Sequence, residues 1–397
     1  AIGKAALLNQ NFDGSAYNIA IGYEAGANVT TGITNTLIGG LAGDALTEGD
    51  SNTALGYFAL SSETLGDRNV AIGQSALKLQ NNTSDTDVYN VAVGFEAGKN
   101  VSTGSLNTLI GGLAGDALTT GANNIAIGYL ALTTEDSNGK NVAVGNSALR
   151  DLNAGVDAFN VAIGHDAGKL VTTGINNVIV GGNAGDALTT GDRSVAIGHD
   201  ALSAEDTGTR NVAVGYGTLT NLNYDGAGYN VAIGYATGNV ITTGIQNTLI
   251  GGLAGDALTT SSNNVAIGYR ALSLENEGDR SVAIGYDSLR NQNTSGNVYN
   301  VAIGFQSGMS ITTAVDNTIM GSLAGDALTT GSDNVAIGKS ALSTEDTGSH
   351  NVAIGNEALQ DLNYNGNGYN TAIGSRAGAN VTTGTKNTIV GGLSGDA

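Results

Sequence analysis

Short apolar segments recur along the chain, and each lies between an asparagine or serine and a glycine. In the first full copy, Ile19, Ala20 and Ile21 lie between Asn18 and Gly22. The first residue of each segment is β-branched, the middle one is Ala, Leu or Ile, and the third is aliphatic or Met. Such runs between turn-forming residues are typical of short β-strands. The pattern therefore predicts one short strand per copy, followed by a turn at the glycine.

The glycine that ends each segment, called the marker glycine below, sets the period of the chain. Three spacings of 17 residues are followed by one of 19 or 21 residues. Four copies form a longer unit in which the segment IGGLAGDA or a close variant returns every 70 or 72 residues. One copy cannot bury its own apolar face, whereas stacked copies build a continuous core. We therefore predict an all-β fold, a repetitive parallel β-solenoid or β-roll with about 17 residues per coil and a 70-residue superrepeat of four coils.

No composition shift interrupts the repeat, so the sequence predicts one solenoid domain over residues 1–397. Both ends fall within a repeat, which predicts a piece of a longer polypeptide. The superrepeats run approximately over 22–93, 94–163, 164–233, 234–303 and 304–373.

The two faces of the strand differ in side-chain size. Alternate residues of a strand point to opposite sides, so Ile19 and Ile21 share one face, which we predict to be the core. The middle residues are never polar, and a strand that is apolar on both faces is buried on both. We expect these residues to pack against another chain, because alanine lets two backbones approach closely; a larger core within one chain is the alternative. The candidate chain interface begins with Ala20, Leu37, Ala54 and Ala71.

Two polar or small positions are predicted to hold the coils together. A row of asparagines precedes the strands and fits a ladder of side-chain amides along the stack. The marker glycines suit corners, because glycine accepts positive φ without steric cost. In the first superrepeat the ladder residues are Asn18, Asn35, Asn52, Asn69, Gly22, Gly39, Gly56 and Gly73.

Composition narrows the function classes. The 397 residues include 62 glycines and neither proline nor cysteine, so disulfides and thiol chemistry are excluded. Proline would remove a ladder donor in every coil. The net charge of −20 argues against nucleic acid and anionic membranes as partners. No apolar run reaches the length of a membrane span, so we predict no membrane insertion.

The repeat resembles those of two groups of fibre proteins. The residues Asn264 to Leu272 (NVAIGYRAL) and Asn107 to Leu118 (NTLIGGLAGDAL) carry the resemblance, which extends over the whole chain. They resemble the head repeats of trimeric autotransporter adhesins and the repeats of phage tail fibres and bacterial surface proteins. The resemblance implies an extracellular homotrimeric fibre, on a virion or cell surface, that presents a binding tip. It also implies a cell-surface receptor or glycan as a partner, bound through regions outside this chain.

No residue set points to catalysis, and we predict that the chain is not an enzyme. The three histidines, His165, His199 and His350, are expected to be surface residues. Aromatic residues precede the asparagine once per superrepeat, beginning with Tyr17 and Tyr89, and are expected to cap the core at the longest corner.

Periodic acidic residues raise the question of calcium, which prefers several oxygen ligands. Turn formation by the aspartates is the favoured interpretation, and no cofactor is predicted. The candidate calcium ligands are Asp44, Asp116, Asp186, Asp256, Asp326, Glu63 and Glu135.

The sequence thus predicts the structural shaft of an attachment fibre. One alternative is a shaft that itself binds a receptor or glycan. A third interpretation is a solenoid stabilised by bound calcium, or an ice-binding solenoid, which threonine pairs such as Thr30 and Thr31 suggest.

Overall fold

The computed structural model describes residues 1–396 and divides the chain into two compact units, Ala1–Ala196 and Ile197–Ala397. Each unit is an all-β parallel solenoid with about 17 residues per turn, and no helix occurs among the described residues. The division falls within the third superrepeat, 164–233. The predicted fold class is confirmed.

The strands of the first unit are two or three residues long. One three-residue strand precedes each marker glycine from Gly22 onward, and two shorter strands lie between these. They are β1 (Ile19–Ile21), β2 (Thr36–Ile38), β3 (Thr53–Leu55), β4 (Gly66–Asp67), β5 (Val70–Ile72), β6 (Thr86–Asp87), β7 (Val91–Val93), β8 (Thr108–Ile110), β9 (Ile125–Ile127), β10 (Val142–Val144), β11 (Val161–Ile163) and β12 (Val178–Val180).

The second unit repeats this arrangement. At the division lies β13 (Val195–Ile197). The strands that follow are β14 (Val212–Val214), β15 (Val231–Ile233), β16 (Thr248–Ile250), β17 (Val265–Ile267), β18 (Gly278–Asp279), β19 (Val282–Ile284), β20 (Gly296–Asn297), β21 (Val301–Ile303), β22 (Thr318–Met320), β23 (Val335–Ile337), β24 (Val352–Ile354), β25 (Thr371–Ile373) and β26 (Thr388–Val390).

Within each unit the three-residue strands pair in parallel with the next copy and in strict register. Ile19 lies opposite Thr36, Ala20 opposite Leu37, and Ile21 opposite Ile38. Strands β15, β16 and β17 show the same register in the second unit. Because the register does not slip, each strand position forms a row of equivalent residues from one coil to the next.

The middle residue of each strand points into the chain's own interior, which corrects the prediction made from the sequence. Ala20, Leu37, Ala54 and Ala71 are fully buried within this single chain, so they cannot form an interface with another chain. The outer residues point away from the core, and Ile19 is 50% exposed. Period-two alternation separates two faces but does not say which is inward. A 17-residue coil encloses a narrow interior, which mostly alanine fills at this position and which Leu37 or Ile179 enters once per superrepeat.

The interior explains why the residue four positions after the marker glycine follows the order Gly, Gly, Leu, Leu. The side chain of Leu37 enters the core from the second strand of the superrepeat. A Cβ added to Gly26 would lie 2.5 Å from Leu37 Cδ1, and one added to Gly43 would lie 2.8 Å from Leu37 Cδ2. Where the strand instead contributes alanine, Leu60 and Leu77 fill the space and are fully buried. The superrepeat is therefore a volume-matching pattern of a close-packed core.

The marker glycines are required by both conformation and space. Gly22 has φ +141°, and a Cβ built on it would lie 2.4 Å from the carbonyl oxygen of Gly39 in the next coil. Gly39 and Gly56 stand in the same relation, also at 2.4 Å. Any side chain would push the coils apart, so this row fixes the close stacking on which the ladder depends.

Candidate binding surfaces

The outward face of the stack consists of the first and third residues of the three-residue strands. Ile21, Ile163 and Ile373 are 39–41% exposed on this face. In the strands given above it contains only Val, Ile, Leu, Thr and Met, although the chain carries a net charge of −20. A surface strip without any charge is unusual in so acidic a chain, and large exposed apolar patches are typical of contact regions. This face, rather than the alanine row, is the surface that another molecule can cover.

The asparagine row forms a ladder that links side chains chiefly to the main chain. Asn18 Oδ1 accepts a hydrogen bond from the Asn35 N–H at 2.8 Å, and Asn35 Oδ1 accepts one from the Asn52 N–H at 2.8 Å. Asn35 Nδ2 donates to the Gly49 carbonyl at 2.8 Å. Each amide therefore satisfies polar groups of the next coil, and these buried bonds tie one coil to the next.

A second row, called the ring row below, comprises the residue directly after each marker glycine. Many of these residues are aromatic and about half exposed, among them Tyr269 and Tyr286. Tyr269 stacks on Tyr286 with ring centroids 5.6 Å apart, and Tyr286 stacks on Phe305 at 5.5 Å. His199, Tyr216 and Tyr235 form an equivalent stack, with both spacings at 5.6 Å. From the sequence, residues of this row such as His165 and His199 were expected only to lie on the surface, and the stacking of the rings was not predicted.

The aromatic residues that precede the asparagines do not cap the core, contrary to the expectation. Tyr17 is 76% exposed and Tyr89 is 47% exposed. Instead, several of these rings pair with a cation from the preceding coil. The guanidinium of Arg68 lies 5.8 Å from the ring centroid of Tyr89, and Lys140 Nζ lies 5.0 Å from that of Phe159. These pairs are surface contacts whose energy is modest.

The periodic glutamates occupy core positions, seven residues after a marker glycine, in a row otherwise filled by Val, Ile, Leu and Gln. Glu63 is fully buried. Its Oε1 accepts the Gly66 N–H at 2.8 Å, and its Oε2 accepts Gln80 Nε2 at 2.8 Å and Asn82 Nδ2 at 2.9 Å. The carboxylate thus organises its own turn and the next coil. The 17-residue spacing from Leu46 to Glu63 is the signal that could have placed it in the core.

Glu205 and Glu345 occupy the same position with fewer donors. Glu205 Oε1 accepts the Gly208 N–H at 2.7 Å, and its Oε2 accepts the Tyr224 N–H at 3.4 Å. Burial raises the pKa of Glu205 to about 7, and the backbone N–H groups oppose that rise only in part. Burial also raises the pKa of Glu345. Glu205 and Glu345 thus combine full burial of the carboxyl group with a raised pKa.

The aspartates proposed as calcium ligands lie in turns, half-buried. Burial raises the pKa values of Asp44, Asp116, Asp256 and Asp326, which disfavours the charged form that a metal needs. Asp116 Oδ1 accepts a hydrogen bond from the Thr133 hydroxyl. Within residues 1–396, no group of three His, Cys, Asp or Glu side chains could hold a metal ion. The structure therefore does not bring the candidates Asp44, Asp116, Asp186, Asp256, Asp326, Glu63 and Glu135 together as a site.

The three histidines lie on the surface beside aspartates. His199 Nδ1 lies 2.8 Å from Asp200 Oδ2, and His350 Nδ1 lies 3.8 Å from Asp333 Oδ2. His165 is two-thirds exposed at its side chain. The surface of residues 1–396 has no enclosed pocket.

In comparison with known proteins, no family model matches the chain, and no curated protein matches it. The part of the chain that the structure describes contains no helix of the length and apolar character needed to cross a membrane.

Proposed function

We propose that the chain is the structural shaft of an extracellular attachment fibre, of the kind found in phage tail fibres or bacterial surface adhesins. The repeat supplies length, because each coil templates the next through backbone and asparagine ladders. The role is mechanical, to span distance and to present a binding tip, and it requires no catalytic group.

The observation that carries the proposal is the charge-free outward face. Partly exposed Ile, Val, Leu, Met and Thr side chains continue from strand to strand on this face, and leaving its apolar part in water forgoes about 25 cal/mol per Å². Copies of the same chain packed side by side would cover these rows along their whole length. The number of three chains comes from the resemblance described above, and the apolar face supports association without fixing that number.

The test is the mass of the purified chain in solution by sedimentation. We expect a trimer that persists on dilution. Ile163→Lys combined with Ile233→Lys places two charges on the outward face and should shift the assembly towards monomer. The matched control is Leu274→Lys, because Leu274 is 50% exposed but lies outside the strands. A folded wild-type monomer at high concentration contradicts the proposal.

A further inference from the structure

The ring row contains gaps in which a glycine separates two aromatic residues of neighbouring coils. We call each gap a ring slot and define it by three residues. The slots are Tyr23–Gly40–Tyr57, Phe95–Gly112–Tyr129 and Tyr235–Gly252–Tyr269. All six aromatic side chains are 46–61% exposed. We propose that the ring slots bind neutral pyranose rings of a glycan.

The intact stacks of the same molecule show that a slot has room for one ring. In the stack Tyr269, Tyr286 and Phe305, a middle ring fits between two rings that are two coils apart, with spacings of 5.6 and 5.5 Å. Strands β15, β16 and β17 keep the same register beneath Tyr235, Gly252 and Tyr269. Gly252 carries no side chain at the position of the middle ring, so no ring of the chain stands between Tyr235 and Tyr269 in this row.

The backbone does not require glycine at the floor of the slot. A Cβ added to Gly252 would lie 3.5 Å from Tyr269 Cδ2, and one added to Gly40 would lie 3.4 Å from Tyr57 Cδ2, which are ordinary contacts. These glycines do not have the positive φ of the marker glycines, so neither conformation nor crowding requires glycine there. The effect of glycine at these positions is the absence of a ring between the two aromatic residues.

The chemistry of the slot favours a sugar over an aromatic guest. A pyranose presents C–H groups on its faces and hydroxyls at its rim, and aromatic faces carry the negative charge that attracts such C–H groups. Polar side chains follow the rings: Glu24 follows Tyr23, Glu96 follows Phe95, and Arg270 follows Tyr269, with its guanidinium 5.9 Å from the ring centroid. They can bond to hydroxyls. The net charge of −20 disfavours anionic sugars.

Repetition would compensate for weak individual sites. The first two slots are four coils apart, which corresponds to roughly 19 Å at the spacing of parallel strands. A polysaccharide that occupies several slots gains affinity through effective concentration. The ring row lies beyond the marker glycine and is not part of the outward face, so this inference stands or falls separately from the proposed assembly.

The experiment is saturation-transfer NMR of the whole chain with cellohexaose, maltohexaose and chitohexaose at millimolar concentration. We expect at least one to bind, with saturation transferred from tyrosine rings. Filling the slots in the triple variant Gly40→Tyr, Gly112→Tyr and Gly252→Tyr should weaken binding at least tenfold. Ser322→Tyr is the matched control: Ser322 is a ring-row residue that lies between Phe305 and Lys339, so it is not in a slot.

A second variant tests the proposal independently, in case the first variant does not fold. Tyr57→Leu, Tyr129→Leu and Tyr269→Leu removes one wall of each slot and should weaken binding by the same order. The proposal is overturned if none of the three oligosaccharides binds, or if the folded filled variant binds as well as the wild type. Binding of the planar dye thioflavin T without any oligosaccharide would also overturn it, because the slots would then take aromatic guests.

Discussion

Glu63 in the first unit and Glu205 in the second occupy the same position of the repeat but have different neighbours. Gln80 and Asn82 donate side-chain hydrogen bonds to Glu63 at 2.8 and 2.9 Å. The residue 17 positions after Glu205 is Leu222, which has no polar group to donate. Glu275 follows the first type, with Gln292 Nε2 at 3.0 Å, and Glu345 follows the second, with Leu362.

The difference shows that one repeat position can hold either a carboxyl group with several hydrogen-bond donors or one with few. Gln80 also accepts from Asn90 Nδ2 at 2.8 Å, so Glu63 belongs to a network that reaches the asparagine ladder. At Glu205, burial is offset mainly by backbone N–H groups, and its pKa rises to about 7. A buried charged group is stable only as far as its donors replace water.

The largest effect is expected from removing the better-bonded carboxylate. Glu63→Ala leaves the donors of Gln80, Asn82 and Gly66 buried without an acceptor, and we expect a loss of about 3 kcal/mol or more in local stability. Glu205→Ala, its matched control, leaves fewer donors and should cost less. Hydrogen exchange of the affected coils measures this better than a global melt, because repeats open locally. Equal losses in the two variants would contradict the comparison.

The second effect is a dependence of stability on pH in the second unit. The folded pKa of Glu205 is about 7, above its ordinary value of 4.5, so the folded state binds more protons between these values. The stabilisation is complete below pH 4.5 and is lost as the pH rises towards 7. Glu345 should contribute in the same direction.

Hydrogen exchange around Glu205, measured across this range, checks the prediction. Glu205→Gln should flatten the pH dependence, because an amide does not titrate. A variant whose local stability changes with pH as steeply as that of the wild type would show that Glu205 is not the group responsible.

The smallest effect is expected from giving Glu205 a side-chain donor like the one that Gln80 gives Glu63. Leu222→Gln places an amide where Gln80 stands relative to Glu63, and its donor should lower the pKa of Glu205 towards the ordinary range. Leu222→Met has a similar length but no donor, and should leave that pKa unchanged. Carbon-13 NMR titration of the glutamate carboxyl group gives both values. If the glutamine and methionine variants titrate alike, a missing donor does not explain the difference.

Much of the fold could be predicted because its signals are local and repeated. Short β-branched segments between asparagine and glycine gave the strands, and the 17-residue spacing gave the coil. The marker glycines follow from backbone geometry, since a Cβ on Gly22 would overlap the carbonyl group of Gly39. Each of these features depends on neighbours at a fixed distance along the chain, which a periodic sequence displays.

The sequence by itself therefore determined an all-β solenoid, its period, and which residues share a row. Only the tertiary structure decided which row faces inward: Ala20 is fully buried, whereas Ile19 is half exposed. It also placed Glu63 in the core. The reason is that alternation and period are properties of the backbone, but the inward direction and the free space depend on how the closed coil divides a limited interior volume among side chains.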